Sequence, residues 1–377
     1  MIGKLDIVTL QQIWWILCSV VGSLFLFLTF VQGGQTLLWQ VAKDDREKAL
    51  IINSLGRKWE LTFTTLVLFG GALFAAFPKF YATSFGGAYW VWMLILFTFI
   101  VQAVSYEFRK KPNNLLGEKT YELFLLINGS VGILLIGAAV GTFFTGSNFT
   151  LNEYNQVTWT NSLRGVEAAF SLFNLSLGLF LVLNARVLGA MYLVNNISFK
   201  GAKELEVRIR KSCLTSFLLS LPFLLYVIVM LVMMDGFATD QNGAVAIVAH
   251  KYLNNLLAMP LVDVLLLAGL FLVILGVTRT GLSNATTGIW FGGLGTVLVG
   301  LAIFCLAGFN NTPFYPSKVD LQSSLTIYNA SSSHYTLTAM TYVALFIPGV
   351  LAYVAYVWRQ MDSRKIDAQD LADKKAY

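Results

Sequence analysis

Long apolar runs alternate with short polar segments along the whole chain. Each run has the roughly 20 residues that an α-helix needs to cross the hydrocarbon core of a bilayer. A barrel strand would instead alternate at period two over about ten residues. The pattern predicts an all-α polytopic membrane protein with nine transmembrane helices, at 13–38, 61–77, 89–106, 123–144, 168–191, 212–234, 256–277, 289–309 and 335–358.

Composition excludes a soluble protein. Hydrophobic residues make up 56% of the chain and charged residues only 12%, whereas soluble domains carry about 25% charged residues. The first apolar run has no small-residue cleavage site before the next charged segment, so it is interpreted as a retained helix rather than a signal peptide.

Lysine and arginine are distributed unequally between the two sides of the predicted membrane. With the N-terminus outside, 21 of the 26 fall on the cytoplasmic side, and the outer side holds five: Lys4, Lys79, Arg164, Lys251 and Lys318. Because translocated loops are poor in these residues, the sequence predicts that the N-terminus lies outside and the C-terminus in the cytoplasm. The net charge of +6 follows from this bias, so no nucleic-acid partner is predicted.

Two polar segments outside the spans have distinct compositions. Residues 310–334 carry two prolines and many small hydroxylated residues, which predicts an ordered, turn-rich outer cap rather than a helix. Residues 359–377 have mixed charge and are predicted to form a solvated, partly disordered cytoplasmic tail.

The chain offers few groups for redox or metal chemistry. Cys18, Cys213 and Cys305 have no metal-ligand spacing, and packing is the expected role of these side chains. His250 and His334 fall at predicted span ends or loops on the outer side, whereas a haem inside the membrane needs histidine or methionine ligands at that depth. We therefore expect no metal site, no catalytic residue and no haem in this chain, and electron transfer by a partner.

Ionisable side chains near the predicted spans are the candidates for function, because charge inside a bilayer is costly. Glu60 stands in the first turn of the second span and is followed by hydroxyls that could extend a hydrogen-bonded chain inward, a proton or water path. The alternative is a carboxylate that only stabilises the start of its helix. For Glu107, pairing with neighbouring cations at the membrane surface is the simpler interpretation. The candidate residues are Glu60, Thr62, Thr64 and Thr65 for the path, and Arg57, Lys58, Trp59, Glu107 and Arg186 for interface or orienting roles.

Several segments resemble a known family. The stretch GRKWELTFTTLVLFGGALFAAFP, residues 56–78, is similar to the second helix of subunit II of the cytochrome bd quinol oxidases. VSYEFRKK resembles the exit of that family's third helix, LNARVLGAMYLVNNI its fifth helix, and PFYPSKVDLQSSLTIYNASSSHYTL its last outer loop. These segments occur in the family's order from residue 56 to residue 337.

The chain departs from the family pattern at positions near Glu60. Glu60 stands where the family usually has aspartate, so the acid is kept with one more methylene group. Phe63 and Thr65 replace a second acid and a second tryptophan, and Gln102 stands where some members have arginine. Of the family's functional side chains here, only the acid at Glu60 is therefore carried over.

The resemblance implies an architecture of two four-helix bundles and a peripheral helix. The corresponding divisions are 1–150 for the first bundle, 151–333 for the second bundle with its outer cap, and 334–377 for the ninth helix and tail.

The resemblance also implies a function. Subunit I holds two b-type haems and one d-type haem and oxidises quinol, while subunit II is haem-free. The complex reduces dioxygen to water in the bacterial inner membrane with protons taken from the cytoplasm, which generates a proton-motive force. A structurally bound quinone, a small single-helix accessory subunit and the lipid bilayer are further implied partners. The acid matching Glu60 would stand at the cytoplasmic mouth of a proton route along the subunit interface.

Two other classes of function stay open at the level of sequence. A secondary transporter would need broken helices and polar sites near the midplane. Only Asp263 and Pro348 indicate such features in this sequence. A purely structural subunit would stabilise subunit I and conduct nothing.

Overall fold

The apolar runs form long helices in the computed structural model, which describes residues 2–367. The helices are α1 Ile7–Leu28, α2 Phe30–Val41, α3 Asp45–Gly56, α4 Trp59–Ala76, α5 Pro78–Tyr81, α6 Tyr89–Phe108, α7 Glu118–Ile127, α8 Ile133–Thr145, α9 Leu172–Asn196, α10 Lys203–Met233, α11 Lys251–Ala258, α12 Pro260–Gly281, α13 Gly288–Gly308, α14 His334–Ala344 and α15 Ile347–Met361. The strands are β1 Phe149–Leu151, β2 Val157–Trp159, β3 Gly236–Thr239 and β4 Val245–Val248.

Eight helical segments of the described chain are long and apolar enough to cross a membrane. We number them spans 1 to 8: Ile7–Val41, Asp45–Ala76, Tyr89–Phe108, Glu118–Thr145, Leu172–Asn196, Lys203–Met233, Pro260–Gly281 and Gly288–Gly308. The pair α14 and α15, bent by 42°, forms span 9 when counted as one segment. On that count the prediction of an all-α membrane protein with nine spans is confirmed.

Span 1 lies at the centre of the helical body. It packs on spans 2, 5 and 8, while span 5 also packs on spans 4 and 6, and span 7 on span 8. Glycines allow close approach: a Cβ added at Gly33 would overlap the backbone of Ala185 in span 5, as expected where membrane helices pack on small residues. Because spans 1 and 8 touch, the two halves of the chain share an interface, and the division at residues 150 and 333 stays a prediction.

One end of the body is closed by loops and two short hairpins, and we call it the cap end. Strand β1 pairs antiparallel with β2, and β3 with β4. The predicted cap 310–334 is ordered by turns and contains one 3₁₀ turn, Leu321–Ser323. It joins the β1 hairpin through hydrogen bonds between Ser147 and the loop, with the Ser147 amide donating to the Pro316 carbonyl at 2.9 Å. We call the opposite end the Glu60 end.

The beginning of the C-terminal tail is docked, contrary to the prediction of a solvated segment. The amide of Ile366 donates to the carbonyl of Asn196 at 2.9 Å, and the Ile366 side chain is fully buried. Burial of the isoleucine is favourable, and its neighbours Arg364 and Lys365 remain exposed to solvent, so docking costs these charges no solvation. The rest of the predicted tail, 368–377, lies outside the described residues.

Candidate functional site at the Glu60 end

Glu60 is exposed on the surface of the helical body. It lies in the first turn of α4, where the helix dipole favours a carboxylate. Within residues 2–367 it takes part in no ion pair. Its carboxylate is therefore accessible to solvent or to another subunit.

The threonines that follow Glu60 all donate hydrogen bonds to backbone carbonyls. Thr62 is buried and donates to Leu28 of span 1 at 3.1 Å. Thr64 donates to the Glu60 carbonyl at 2.8 Å, and Thr65 to a carbonyl of its own helix at 2.7 Å. Because these hydroxyls point to different sides of α4, proton transfer along them requires water or a second chain between them. Their role in a path stays a prediction.

Arg57 and Lys58 face span 9 rather than Glu60. The Lys58 ammonium, 1% exposed, pairs with Asp362 at 2.9 Å and lies 4.9 Å from the centre of the Trp358 ring. Arg57 donates to the carbonyl of Met361 at 3.1 Å. The two cations fasten the end of span 9 to the start of α4 within span 2.

Trp59 is buried inside the helical body. Its ring is 8% exposed and stacks on Tyr106 of span 3, with ring centres 5.7 Å apart and planes 8° from parallel. Trp59 thereby anchors the start of α4, and the neighbouring Glu60 lies on the outer face.

A buried charge cluster lies at the same end, and spans 1 to 4 all contribute to it. The Glu122 carboxylate accepts hydrogen bonds from Arg109 at 2.8 Å, Lys48 at 3.0 Å and the Trp39 indole at 2.8 Å. The side chains of Glu122 and Arg109 are each 1% exposed. Such a pair is stable only with good geometry and further hydrogen bonds, and the lysine and indole supply these.

Glu107 does not pair with the neighbouring cations. Arg109 pairs with Glu118 and Glu122, at 3.2 and 2.8 Å, and Lys110 pairs with Glu118 at 2.9 Å. Glu107 is exposed and takes part in no ion pair within the described residues. The helix-start carboxylates of span 4 lie closer to these cations once the hairpin between spans 3 and 4 has formed.

Sequence reasoning missed Glu122. A signal was present, because Arg109 and Glu122 stand at the two ends of the loop that joins consecutive spans. A hairpin must bring two such residues together. The predicted start of span 4 at residue 123 placed Glu122 just outside the membrane, where a charge needs no partner.

Arg186 links three spans inside the body. Its guanidinium donates to the Thr36 carbonyl and hydroxyl of span 1, at 3.0 and 2.8 Å, and to Gln40. A further bond of 3.4 Å reaches Ser216 of span 6. These contacts assign Arg186 an orienting role between helices.

Charged residues at the cap end fasten loops. The Lys251 ammonium donates to the Asn310 carbonyl at 2.7 Å, and burial lowers the pKa of this group. Burial also lowers the pKa of Lys318, an effect that nearby Glu167 opposes. The Lys251 bond holds the start of the cap against α11.

The two histidines also lie at the cap end. His250 is within 3.2 Å of the Val232 carbonyl, and His334 is within 2.8 Å of the Leu5 carbonyl. Among residues 2–367, no three histidine, cysteine or acidic side chains come close enough together to hold a metal ion. The three cysteines are buried and unbridged, in agreement with their predicted packing role.

Comparison with known proteins identifies the family. The model of the family described as cytochrome bd terminal oxidase subunit II matches residues 10–361. The chain belongs to this family. It is 28% identical to cytochrome bd-I ubiquinol oxidase subunit 2 of Escherichia coli K12 and 24% identical to cytochrome bd ubiquinol oxidase subunit 2 of Bacillus subtilis. The first alignment covers 96% of both chains, and the second 95% of this chain and 98% of its relative.

A solved structure supports the fold of the bd oxidase subunit. A chain of the bd oxidase from Geobacillus thermodenitrificans superposes with a TM-score of 0.60 at 16% identity, over 94% of this chain and 98% of that one. Membership in the subunit II family makes this chain a subunit of a membrane oxidoreductase with a subunit I partner. With its apolar spans, it is a multi-pass protein of the bacterial inner membrane.

Proposed function

We propose that this chain is the haem-free subunit II of a quinol:oxygen oxidoreductase, and that it stabilises subunit I and helps to deliver protons for the reduction of dioxygen to water. The names of the relatives in Escherichia coli and Bacillus subtilis support ubiquinol as the substrate of the complex. In this proposal electrons pass through the two b-type haems and the d-type haem of subunit I. A small accessory subunit, lipid and a structural quinone complete the assembly.

The described residues offer no histidine that could bind a haem inside the membrane. The two histidines of the chain lie at the cap end, against backbone carbonyls. The chemistry at oxygen is therefore assigned to the partner, and this chain's own contribution is to hold helices and to move protons.

The exposed Glu60 carboxylate carries the proton part of the proposal. Glu60 begins an exposed stripe on span 2 that continues with Thr64, Val67, Leu68 and Phe74. An acid at the end of an otherwise apolar stripe suits a contact with subunit I better than a contact with lipid, because an unpaired charge in lipid is costly. A carboxylate at such a contact can pass protons from solvent into the interface.

Exchange of Glu60 for glutamine tests this role. In the assembled complex, Glu60→Gln keeps the shape and a hydrogen-bonding group but cannot carry a proton. We expect quinol-driven oxygen consumption to fall by about tenfold or more, with unchanged haem content. Glu60→Asp should retain most activity because aspartate keeps the acid.

The matched control is Glu107→Gln, since Glu107 is also exposed at this end and free of ion pairs within the described residues. Its turnover should equal that of the unchanged complex. Normal turnover of Glu60→Gln across the pH range, or a loss that follows the loss of haem, would leave only a structural role for Glu60. The alternative is a purely structural subunit, which is favoured by the threonine hydroxyls because they bond to backbone carbonyls. The Glu60→Gln experiment distinguishes this alternative from a role in proton delivery.

The proposal also requires the Glu60 end to face the cytoplasm. Leu115 and Tyr154 are 93% and 82% exposed at opposite ends of the body, and the three native cysteines are buried. A membrane-impermeant maleimide should label Tyr154→Cys in intact cells, but Leu115→Cys only after the membrane is opened. The reverse labelling would contradict the predicted orientation.

A further inference from the structure

Polar side chains line three helix faces that meet inside the first half of the chain. Span 3 contributes Thr98, Gln102, Tyr106 and Arg109, which recur at three- and four-residue spacing and therefore share one face. On the α-helical rise, this row extends roughly 16 Å inward from the Glu60 end. Span 1 contributes Gln32 and Gln35, and span 4 contributes Glu122 and Asn128. We call these eight residues the polar column.

Contacts across the column show that the three faces are adjacent. Gln35 donates to the Tyr106 hydroxyl at 3.1 Å, and Asn128 lies 3.4 Å from the Thr98 hydroxyl. Gln102 lies one helical turn from both Thr98 and Tyr106, and so between these two contacts. A Cβ added at Gly129 would overlap the carbonyl oxygen of Gln32, so spans 1 and 4 touch there.

Six amide atoms of the column lack hydrogen-bond partners among the described residues. Gln32 and Gln102 are fully buried, and neither the oxygen nor the nitrogen of either amide has a hydrogen-bond partner. The same holds for the amide oxygens of Gln35 and Asn128 and for one terminal nitrogen of Arg109. Each buried polar group without a hydrogen bond costs about 1–3 kcal/mol. A group of such unpaired atoms in one place therefore indicates that a polar ligand binds there.

The backbone of span 4 is also unusual at this position. Residues Asn128–Gly132 form a π-helical turn within an otherwise α-helical span. Such turns are rare and occur frequently at functional sites, because the wider turn changes the direction of its side chains. Here the turn lies beside Gln32 and carries Asn128 in the polar column.

We propose that the polar column is a binding site for ordered water, which extends from the Arg109 and Glu122 cluster toward the middle of the membrane. The unpaired atoms include both donors and acceptors, and water satisfies both at once. A metal cation would leave the amide nitrogens and the arginine unpaired. Buried Ile95 and Ile133 lie beyond Thr98, so apolar side chains close the column at its inner end. It is separate from the exposed face of Glu60, and it stands whether or not Glu60 conducts protons.

A density map of the whole complex, at a resolution that shows ordered water, tests the proposal directly. We expect isolated peaks within hydrogen-bond distance of the amides of Gln32, Gln102 and Asn128. Direct pairing of these amides with one another, without such peaks, would overturn the proposal. Continuous density for a larger molecule would overturn the assignment to water.

The thermal stability of Gln102→Leu in the whole complex gives an independent test, because a dry column and a hydrated column predict shifts of the unfolding temperature in opposite directions. In a dry column, leucine removes two unpaired polar atoms and raises the unfolding temperature. In a hydrated column, leucine removes partners of the bound water and lowers that temperature by about 2–4 °C. Gln11→Leu calibrates the assay, because Gln11 donates to Ser331 and Tyr328, at 2.6 and 3.1 Å, and loses bonds in either case. An increase for Gln102→Leu beside a decrease for Gln11→Leu would refute the hydrated column.

Discussion

Glu122→Gln is expected to lower the free energy of unfolding of the complex by about 3–5 kcal/mol, because it removes the buried carboxylate that pairs with Arg109 and Lys48 and leaves Arg109 only its partly exposed partner Glu118. Arg109, 1% exposed, loses its bond of 2.8 Å to a charged oxygen, and Lys48 loses one of 3.0 Å. The glutamine amide also places its own donors against these donors. The measurements are the yield of assembled complex and its thermal unfolding temperature.

Glu118→Gln is the matched control, since Glu118 also pairs with Arg109 but its side chain is 41% exposed. Solvent screens this pair, so its removal should cost about 1 kcal/mol or less. Glu122→Leu combined with Arg109→Leu should be more stable than Glu122→Leu alone, because an apolar pair needs no compensation. Equal stability of Glu122→Gln and the unchanged complex would show that the cluster is solvated.

Gly33→Ala should destabilise the complex by about 3 kcal/mol, the upper end of the usual cost of overpacking. The added methyl group would overlap the backbone of Ala185 and the Arg186 amide, and no side chain can move aside to make room for it. Spans 1 and 5 would have to separate, which would also weaken the bonds from Arg186 to Thr36. Reduced yield and a lower unfolding temperature are the expected observations.

Gly349→Ala is the control for the helix propensity of alanine. An added Cβ at Gly349 meets nothing within 4 Å, so its stability should be unchanged or slightly higher. If both variants behaved alike, the contact between spans 1 and 5 would not limit the stability of the complex.

The nine spans could be predicted from the sequence because the length of an apolar run is a local property. The residues at which each span begins and ends could not be predicted in this way. The predicted first span covered 13–38, whereas the helix extends over Ile7–Val41, since polar residues at its ends are buried against other parts of the chain. Gln11, for example, is 6% exposed beneath the cap.

The chemistry at the Glu60 end was predictable only in part. The exposed acid in the first turn of α4 follows from its position in the sequence. The partners of Lys58 and Arg109 depend on which spans are neighbours, and sequence spacing carries no such information between distant helices. Asp362 lies 304 residues beyond Lys58, in a segment whose composition is typical of a solvated tail.

The ion pair between Lys58 and Asp362 has a consequence for biogenesis. The chain is synthesised from its N-terminus, so Lys58 enters the membrane surface long before Asp362 leaves the ribosome. Until span 9 has been inserted, the Lys58 ammonium lacks the Asp362 carboxylate with which it pairs in the folded chain. The residue that follows the last helix thus neutralises a charge at the start of α4, so this part of the fold is completed only after the whole chain has been synthesised.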